Sequence, residues 1–445
     1  MNKNRPGLMD SAKEQLVKRF LMRRGAEPGA REVALGNPLY PHAAASVSDD
    51  LCQFDTFSDY QAIQLQRAGA KRLGVENPFF KSHDALAGAT SQINGKTFLN
   101  FSSYNYLDLS GDIRVNRAAI EAIERYGTSP SASRLVAGER PVQCELEEAL
   151  ADVYGVEDCV VMVSGHATNV TTIGTLFGPK DLVVHDALIH NSVLEGIRLS
   201  GATRRSFAHN DHQKLDQLLS EIRVNFERVL IVIEGLYSMD GDTPELARFI
   251  EIKKRHKAFL MVDEAHALGV LGARGFGSHE HFGISGKDVD IWMGTLSKSL
   301  ASCGGYIAGE KALIDMLKYQ APGFVYSVGL NPCLAAAALA ALSILRTEPQ
   351  RVANLRERSN YFLAQAGKRG IDTGLSQGYS VIPAIVGSSL KAVRLSQYLF
   401  ERHINVQPII HPAVEEKAAR LRFFMSCAHS DKQIEQALDA LSEAM

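Results

Sequence analysis

The sequence predicts an α/β protein with a large domain built on a mainly parallel sheet and a smaller C-terminal α+β domain. Between about residues 113 and 310, short runs of almost wholly apolar residues alternate with helix-length segments. Such runs are typical of strands buried on both faces of a parallel sheet. Polar residues cluster directly after several runs, at the sheet edge where open α/β sheets bind their ligands. After residue 345 the predicted strands become shorter and helices flank them, which favours a separate α+β domain.

The first fifty residues differ from the rest of the chain. Residues 10–25, DSAKEQLVKRFLMRRG, have the spacing of an amphipathic helix, but residues 26–50 show no periodicity. We interpret residues 1–50 as an appendage or linker, with a tail of no specific function as the alternative. An arm follows over residues 51–112, where DYQAIQLQRAGAKRLGV predicts a helix and KTFLNFSSYNYLDL predicts a strand that leads into a loop.

Two domains follow the arm. A large domain is predicted over residues 113–345, and its strands are the apolar runs CVVMVSG, DLVVHD, RVLIVIEG, AFLMVDEAH, DIWMGT and GYIAG. The run LAAAALAALSIL at 334–345 is too short to span a bilayer and predicts a packed core helix. A small domain over residues 346–445 is predicted from two helices, VANLRERSNYFLAQAGKRG and DKQIEQALDALSEAM, with the strands SVIPAIVG and INVQPII between them.

The composition is that of an ordinary globular protein, and it excludes several function classes. Of the 445 residues 45% are hydrophobic, and the formal net charge of -2 argues against nucleic acid or an anionic membrane as the main partner. The six cysteines are scattered without a CxxC pair, so we expect reduced thiols and no metal site. The charged stretch MNKNRPGLMDSAKEQLVKRF does not resemble a secretory signal. We therefore expect a cytoplasmic protein without stable membrane insertion.

A single lysine, Lys298, lies in the stretch WMGTLSKSLASCGGYIAG, which is flanked by strand-like runs. Burying an ammonium without a partner is costly, so a buried lysine here would need a chemical reason. The alternative is an exposed lysine in a polar loop. Asp263 ends another apolar run, and His266 follows it within VDEAHALGVLG. A carboxylate at the end of a buried strand needs a cation or a strong donor, although a helix cap or a structural ion pair would also satisfy it.

Three further stretches place polar groups at predicted strand ends. In VSGHATNVTTIG, Ser164, Gly165 and His166 lie where a strand gives way to a helix, and free amides at a helix N-terminus suit a phosphate. His190 precedes a helix in LIHNSVLEGIRLSGA, and EGLYSMDGDTPEL ends a strand with acids and hydroxyls. Each feature alone has a structural explanation. Together, an amine, an acid, an imidazole and an amide cradle suit pyridoxal 5'-phosphate, which needs a lysine, a partner for its pyridine nitrogen and phosphate contacts.

The ordered motifs resemble the α-oxoamine synthase family of fold-type-I pyridoxal phosphate enzymes. The likeness is carried by NFSSYNYLDL, GTSPSASRLVAGERPVQCELEEALA, EGLYSMDGD, VDEAHALGVLG, GTLSKSL and ARLRFFMSCAH, and it extends from about residue 77 to the C-terminus. The family includes 8-amino-7-oxononanoate synthase, 2-amino-3-ketobutyrate CoA ligase, 5-aminolevulinate synthase and serine palmitoyltransferase. The lead-in YQAIQLQRAGAKRLGVENPFF is most similar to members associated with polyketide assembly lines.

The resemblance implies a role for each matching residue. Lys298 matches the lysine that binds the cofactor as a Schiff base, and Asp263 matches the partner of the pyridine nitrogen. His190 matches the histidine stacked on the ring, and His266 the histidine beside the phenolic oxygen, with Ser238 near it. The expected catalytic residues are Lys298, Asp263, His190 and His266. The residues expected at the phosphate are Ser164, Gly165, His166, Thr295 and Ser297, and those expected at the amino-acid carboxylate are Asn105 and Arg422.

Two stretches depart from the family pattern. Many relatives have YSTSLPP where this chain has YSVGLNP, so Ser327 remains but Val328 and Gly329 replace hydroxyl residues. In the family this segment contacts the cofactor phosphate of the neighbouring subunit, which implies a homodimer. Some relatives carry an arginine-proline-proline element where this chain reads IIHPAVEE. His411 in that stretch is either a functional replacement or a surface histidine.

The reaction implied by the resemblance is a decarboxylative condensation of an α-amino acid with an acyl thioester, either acyl-CoA or an acyl-carrier protein. The products are an α-amino ketone, carbon dioxide and the free thiol. Lys298 would remove the α-proton, and Asp263 would keep the pyridine nitrogen protonated. The alternatives are another fold-type-I enzyme, such as an aminotransferase or a carbon–carbon lyase, and a non-catalytic partner subunit. The sequence leaves open the amino acid, the acyl length and the acyl carrier.

Overall fold

A seven-stranded sheet lies at the centre of the computed structural model, which describes residues 48–445. Its strands, in the order in which they lie side by side, are β3 (Asp158–Met162), β9 (Gly305–Gly309), β8 (Ile291–Thr295), β7 (Phe259–Asp263), β6 (Val229–Glu234), β4 (Leu182–Asp186) and β5 (Thr203–Phe207). Within this sheet β9 runs antiparallel to both neighbours and the other pairs are parallel. The predicted mainly parallel α/β sheet is therefore confirmed.

The strands are apolar along their whole length because both faces of the sheet are covered. Along β6, Val229, Ile231 and Ile233 belong to one hydrophobic core, whereas Leu230 and Val232 belong to a second core on the opposite face. All five side chains are fully buried. Burial on both faces explains why the sequence shows continuous apolar runs instead of an alternation of apolar and polar residues.

The edge strand β5 is absent from the predicted strands because its sequence, TRRSF, is mostly polar. Its pairing partner is β4, and Arg204 and Arg205 are exposed. Charged side chains on an edge strand discourage pairing with another chain. The strand therefore forms because it pairs with β4, and a search for apolar runs in the sequence does not detect it.

Helices connect these strands and cover the sheet. They are Ile113–Tyr126, Pro141–Tyr154, Gly165–Leu176, Asn191–Ser200, His212–Ile222, Leu246–His256, Ser278–Phe282, Lys311–Gln320, Pro322–Val325 and Pro332–Thr347. The last of them contains the alanine-rich run and packs against the first, as expected of a core helix. A π-helical turn at Arg134–Gly138 precedes the second helix.

An antiparallel sheet in the C-terminal part carries strands in the order β10 (Val381–Ile385), β13 (Arg420–Phe424) and β12 (Gln407–Ile409). The helices of this part are Gln350–Lys368, Ser389–Glu401 and Asp431–Ala444. The strand order places β13, which contains Arg422, in the middle of its sheet.

The N-terminal arm contributes a third sheet. β1 (Thr90–Ile93) and β2 (Lys96–Asn100) form a hairpin, and β11 (Ile404–Asn405) pairs with β2 in parallel. The predicted strand INVQPII is thus divided between two sheets. The break lies at Val406, whose carbonyl accepts a hydrogen bond from Ser396 Oγ at 2.7 Å.

The described residues 48–67 belong to one compact unit, and residues 68–445 form a second. The described part of the first unit, 48–67, contains short 3-10 turns at Asp49–Cys52 and Phe54–Thr56 and the beginning of the helix Ser58–Arg72. This helix lies where the sequence predicts one. The amphipathic helix predicted at 10–25 lies outside the described residues.

Candidate active site

Two carboxylates lie side by side at the carboxyl edge of the central sheet. Asp263 ends β7 and Glu234 ends β6, and the two residues are register partners across the strand pair. Asp263 is 4% exposed, and its oxygens accept hydrogen bonds from Asn169 Nδ2 and from the Ala265 N–H, both at 2.9 Å. Two donors of this kind stabilise an ionised carboxylate in a buried position.

Glu234 is a site residue that the sequence motifs did not single out by itself. Its Oε2 accepts a hydrogen bond from the Ser238 N–H at 3.1 Å, and its Oε1 is buried without a partner among the described residues. Burial, together with the neighbouring charge of Asp263, raises the pKa of Glu234 well above its ordinary value. This shift favours the neutral form of Glu234. The acid at the strand end in EGLYSMDGD was the signal that could have found it.

Lys298 follows β8 in a short loop and faces this acid pair. Its Nζ lies 5.3 Å from the centre of the Tyr104 ring. Burial lowers the pKa of Lys298 to about 8; the charge of Asp263 opposes this shift, and the charge of Arg422 adds to it. An amine with this pKa is partly neutral near physiological pH, so it can act as a nucleophile or as a base.

The N-terminus of the helix Gly165–Leu176 lies against the end of β8. Ser164 is its N-cap residue, and Ser164 Oγ accepts a hydrogen bond from the Ala167 N–H at 3.4 Å. A Cβ atom on Gly165 would lie only 3.0 Å from Thr295 Oγ1. Glycine at this position therefore lets the free amides of the helix start approach the strand end closely, which is the geometry of a phosphate cradle.

Hydroxyl groups also lie at the end of β8 and in the loop that follows it. Thr295 Oγ1 donates to the Gly304 carbonyl at 2.9 Å and accepts from the Ser297 N–H at 3.2 Å. The side chains of Ser297 and His166 are exposed. Thr295 is thus close to the helix start at Gly165, whereas the side chains of Ser297 and His166 are accessible from solvent.

His266 is buried one turn after the end of β7. Its Nδ1 lies 2.8 Å from Tyr106 Oη, and its ring meets the Tyr104 ring edge-on at 6.1 Å between centres. Burial, followed by the positive charges of Lys298 and Arg422, lowers the pKa of His266 well below its ordinary value. The imidazole is therefore neutral at physiological pH, and Tyr106 fixes its orientation.

His190 caps the helix Asn191–Ser200. Its Nδ1 accepts a hydrogen bond from the Ser192 N–H at 3.3 Å and lies 2.7 Å from Ser192 Oγ. Ser192 Oγ in turn accepts from Asn169 Nδ2 at 2.9 Å, and the same nitrogen bonds to Asp263. A continuous chain of hydrogen bonds therefore joins His190 to Asp263. Asn169 has no sequence signal of its own, because an asparagine within a helix is usually structural.

Arg422 reaches the site from β13. Its Nη1 donates to the Ser238 carbonyl at 3.0 Å, and its Nε is buried without a partner among the described residues. Burial lowers the pKa of Arg422, and nearby tyrosines oppose the shift. An unpartnered guanidinium N–H in a polar site is the donor that a substrate carboxylate would satisfy.

Asn105 and Ser327 have local hydrogen bonds. Asn105 is buried, and its Oδ1 accepts from the Leu109 and Ser110 N–H groups at 2.8 and 3.1 Å, which shapes its own loop. The Ser327 N–H bonds to the Phe324 carbonyl at 3.4 Å. These hydrogen bonds do not join either residue to Lys298.

The departures from the family pattern have separate explanations in the structure. A Cβ atom on Gly329 would lie 2.4 Å from Arg134 Cγ, and Arg134 is buried in ion pairs with Glu139 and Glu147. The glycine is therefore required by the path of this arginine. His411 is exposed, and its N–H bonds to Ser389 Oγ at 3.2 Å.

The residues around Lys298 fit pyridoxal 5'-phosphate. Four groups lie together here. They are the amine of Lys298 with its lowered pKa, the buried carboxylate of Asp263 with its two donors, the helix start at Gly165 beside Thr295, and the unpartnered guanidinium N–H of Arg422. These groups match the aldehyde, the pyridine nitrogen, the phosphate and the substrate carboxylate in turn. The fold and the site together define a fold-type-I pyridoxal phosphate-dependent transferase.

The chain belongs to the aminotransferase class I and II family, whose model matches residues 96–441. It is 40% identical over 355 residues to the 8-amino-7-oxononanoate synthase of Fervidobacterium nodosum, and the match covers 79% of this chain and 89% of the relative. The synthase of the same name from Symbiobacterium thermophilum is 38% identical over 375 residues, with 84% and 95% covered.

Solved structures agree with this assignment. A serine palmitoyltransferase from Sphingomonas wittichii superposes with a TM-score of 0.83 at 29% identity, covering 87% of this chain and 97% of the other. The 8-amino-7-oxononanoate synthase of Francisella tularensis superposes with a TM-score of 0.67 at 26% identity, covering 78% and 97%. A serine palmitoyltransferase solved with pyridoxal phosphate also superposes with a TM-score of 0.83 at 27% identity, covering 87% and 97%.

The comparisons confirm the predicted class, cofactor and reaction type. The protein is a pyridoxal phosphate-dependent α-oxoamine synthase, which condenses an amino acid with an acyl thioester and releases carbon dioxide. This assignment is favoured over the aminotransferase and lyase alternatives. In the part of the chain that the structure describes, no helix has the length and apolar character needed to cross a bilayer.

Proposed function

We propose that Lys298 is the covalent anchor of the cofactor and the base of the condensation. The observation that carries this proposal is the environment of its amine, which is buried, faces the Asp263–Glu234 pair and has a pKa of about 8. Asp263, His190 and His266 are the remaining catalytic residues. Each is held by a neighbouring side chain or backbone group, so their orientation does not depend on a ligand.

When bound, pyridoxal phosphate supplies a protonated ring that takes up the electron pair left on the α-carbon of the amino acid. Lys298 Nζ takes the proton from that carbon. Asp263 holds the proton at the pyridine nitrogen, with its charge stabilised by Asn169 and Ala265. His190 would cover one face of the ring. His266, neutral and bonded to Tyr106, would lie beside the phenolic oxygen together with Ser238.

Arg422 binds the carboxylate of the amino acid. Its unpartnered Nε provides the first donor, and Asn105 Nδ2 provides a second, since that nitrogen has only long contacts of 3.4 Å to Ala87 O and Asp108 Oδ1. This grip orients the substrate until carbon dioxide leaves. The groups proposed at the cofactor phosphate are Ser164, Gly165, His166, Thr295 and Ser297.

The active enzyme is proposed to be a cytoplasmic homodimer in which Ser327 contacts the phosphate in the neighbouring subunit. Support comes from the exposed apolar side chains around the segment that contains it. Tyr326 is 85% exposed and Val136 is 82% exposed, and Leu135 and Val328 are exposed as well. Exposed apolar groups of this kind are typical of an interface between chains.

The test combines the visible spectrum with product analysis. Purified protein is mixed with pyridoxal phosphate and then with alanine, serine or glycine, and the free thiol released from acyl-CoA or an acyl-carrier protein is measured. We expect an absorbance change that is selective for one amino acid, thiol release that needs that amino acid, and no turnover by Lys298→Ala. Keto acid without thiol release would show an aminotransferase instead, and a protein that never binds the cofactor would show a non-catalytic subunit.

A further inference from the structure

A mostly buried histidine outside the proposed catalytic set bridges two carboxylates. His209 Nδ1 lies 3.0 Å from Asp186 Oδ1, and His209 Nε2 lies 2.9 Å from Asp242 Oδ2. Its side chain is 15% exposed, and those of Asp186 and Asp242 are almost fully buried. Ionised carboxylates only accept hydrogen bonds, so this geometry uses both ring N–H groups of an imidazolium.

The strand order explains why His209 reaches both acids. The central sheet runs β6, β4, β5, and the three parallel strands end on the same edge. His209 follows β5, Asp186 ends β4, and Asp242 belongs to the loop after β6. The histidine therefore spans from the outermost strand across its neighbour to the next loop along the sheet.

The first of the two joined loops carries His190. Asp186 Oδ1 accepts a hydrogen bond from the Leu188 N–H at 2.8 Å, and its Oδ2 accepts from the Asn210 N–H at 2.7 Å. These bonds set the path of the chain from the end of β4 to the helix that His190 caps. A fixed position of the Asp186 carboxylate therefore fixes the path of the loop that leads to His190.

The second loop carries Ser238. The Asp242 carbonyl accepts a hydrogen bond from the Tyr237 N–H at 3.0 Å, and the Tyr237 carbonyl accepts from the Gly241 N–H at 2.9 Å, so the loop closes on itself around Ser238. The ring of Tyr237 meets the His209 ring edge-on at 4.4 Å between centres. Asp242 Oδ2 also accepts from Asn210 Nδ2 at 2.8 Å.

We propose that His209 is a positioning residue: its imidazole ties the loop that carries His190 to the loop that carries Ser238. The inference rests on the proposed function, because these two loops are the ones that would flank the cofactor ring. His209 does not touch that ring. It sets the separation between His190, which would cover the ring face, and Ser238, which would lie beside the phenolic oxygen.

His256 offers a matched control. It is another mostly buried histidine, and its Nε2 bonds to one carboxylate oxygen, Asp216 Oδ1, at 2.7 Å. It ends the helix Leu246–His256 and belongs to neither joined loop. Replacing it removes a histidine–carboxylate pair without disconnecting the two loops.

The first measurement is hydrogen–deuterium exchange of the apo protein, which needs neither cofactor nor turnover. In His209→Gln we expect peptides covering 186–192 and 235–242 to exchange roughly tenfold faster, the equivalent of losing one hydrogen bond to a charged group. Glutamine carries both donors on one nitrogen and cannot bridge the two acids as an imidazolium does. In His256→Asn these two peptides should exchange as in the wild type.

The second measurement is the affinity for pyridoxal phosphate and the visible circular dichroism of the bound cofactor, which reports the orientation of its ring. We expect His209→Gln to weaken the affinity by roughly 10-fold or more, the usual effect of removing a partner that orients a binding group. The dichroism should change, and kcat should fall more than KM rises.

Asp242→Asn provides a second route if His209→Gln does not fold. This substitution removes the carboxylate partner of His209 in the same bridge. Its effects on exchange and on cofactor affinity should have the same direction as those of His209→Gln, and in the double variant the two sets of effects should not add. Wild-type exchange in both loops of either folded variant would overturn the inference. If the variants show these exchange differences but the wild type does not catalyse the condensation, the proposed function alone is refuted.

Discussion

The lowered pKa of Lys298 predicts how fast the apo protein captures its cofactor at each pH. Only the neutral amine attacks the aldehyde carbon. With a pKa of about 8, roughly 10% of Lys298 is neutral at pH 7, against roughly 0.03% for a lysine at the ordinary value of 10.5. The buried environment therefore raises the reactive fraction roughly 300-fold at that pH.

The assay mixes apo protein with pyridoxal phosphate from about pH 6 to about pH 10 and follows the change in visible absorbance. The same titration with α-acetyl-lysine corrects for ionisation of the cofactor. We expect a half-maximal rate near pH 8 for the wild type and none for Lys298→Ala. Arg422→Gln should move the midpoint upward, because the arginine charge helps to lower the pKa of Lys298.

Either of two results would refute this reasoning. A wild-type midpoint near the ordinary lysine value would mean that the amine is solvated and not buried. An unchanged midpoint in Arg422→Gln would mean that the guanidinium charge does not reach Lys298.

Four further predictions concern the site and its surroundings. Asp263→Asn should retain the cofactor, measured by absorbance, but lower kcat by at least about 100-fold, because an amide does not hold the pyridine nitrogen protonated. Gly165→Ala should weaken pyridoxal phosphate binding by roughly tenfold, since its Cβ would press on the threonine of the cradle; Gly178→Ala, where a Cβ meets nothing within 4 Å, should bind normally. Arg422→Gln should raise KM for the amino acid by about 10- to 100-fold, the loss of a hydrogen bond to a charged group, and a wild-type KM would exclude the arginine from carboxylate binding. Burial alone would lower the pKa of His209, but its two carboxylate partners outweigh burial and raise that pKa to about 10. The stabilisation from this histidine is therefore complete below the unfolded pKa of about 6.5 and is lost as the pH rises towards about 10. The difference in Tm between wild type and His209→Gln should shrink over that range, and a constant difference would contradict the charge assignment.

The class of fold and the centre of the site could be predicted from the sequence because both depend on local patterns. Continuous apolar runs mark strands that are buried on both faces, and residues that follow such strands must meet at one sheet edge. Asp263 ends β7 and Lys298 follows β8, so their proximity is a consequence of strand adjacency. The edge strand β5 has no such pattern, since pairing with β4 holds it in place.

Only the tertiary structure decided how the proposed catalytic groups are supported. Asn169 comes from a helix more than ninety residues before Asp263, yet its amide joins that carboxylate to the neighbourhood of His190. His209 follows β5 and bridges the loops after β4 and β6, which is possible because the three strands lie in the order β6, β4, β5 in the sheet. A sequence shows which residues can titrate or donate, because these are properties of single side chains. Which of them are buried, paired and shifted in pKa depends on which strands become neighbours, and that is settled by packing of the whole sheet.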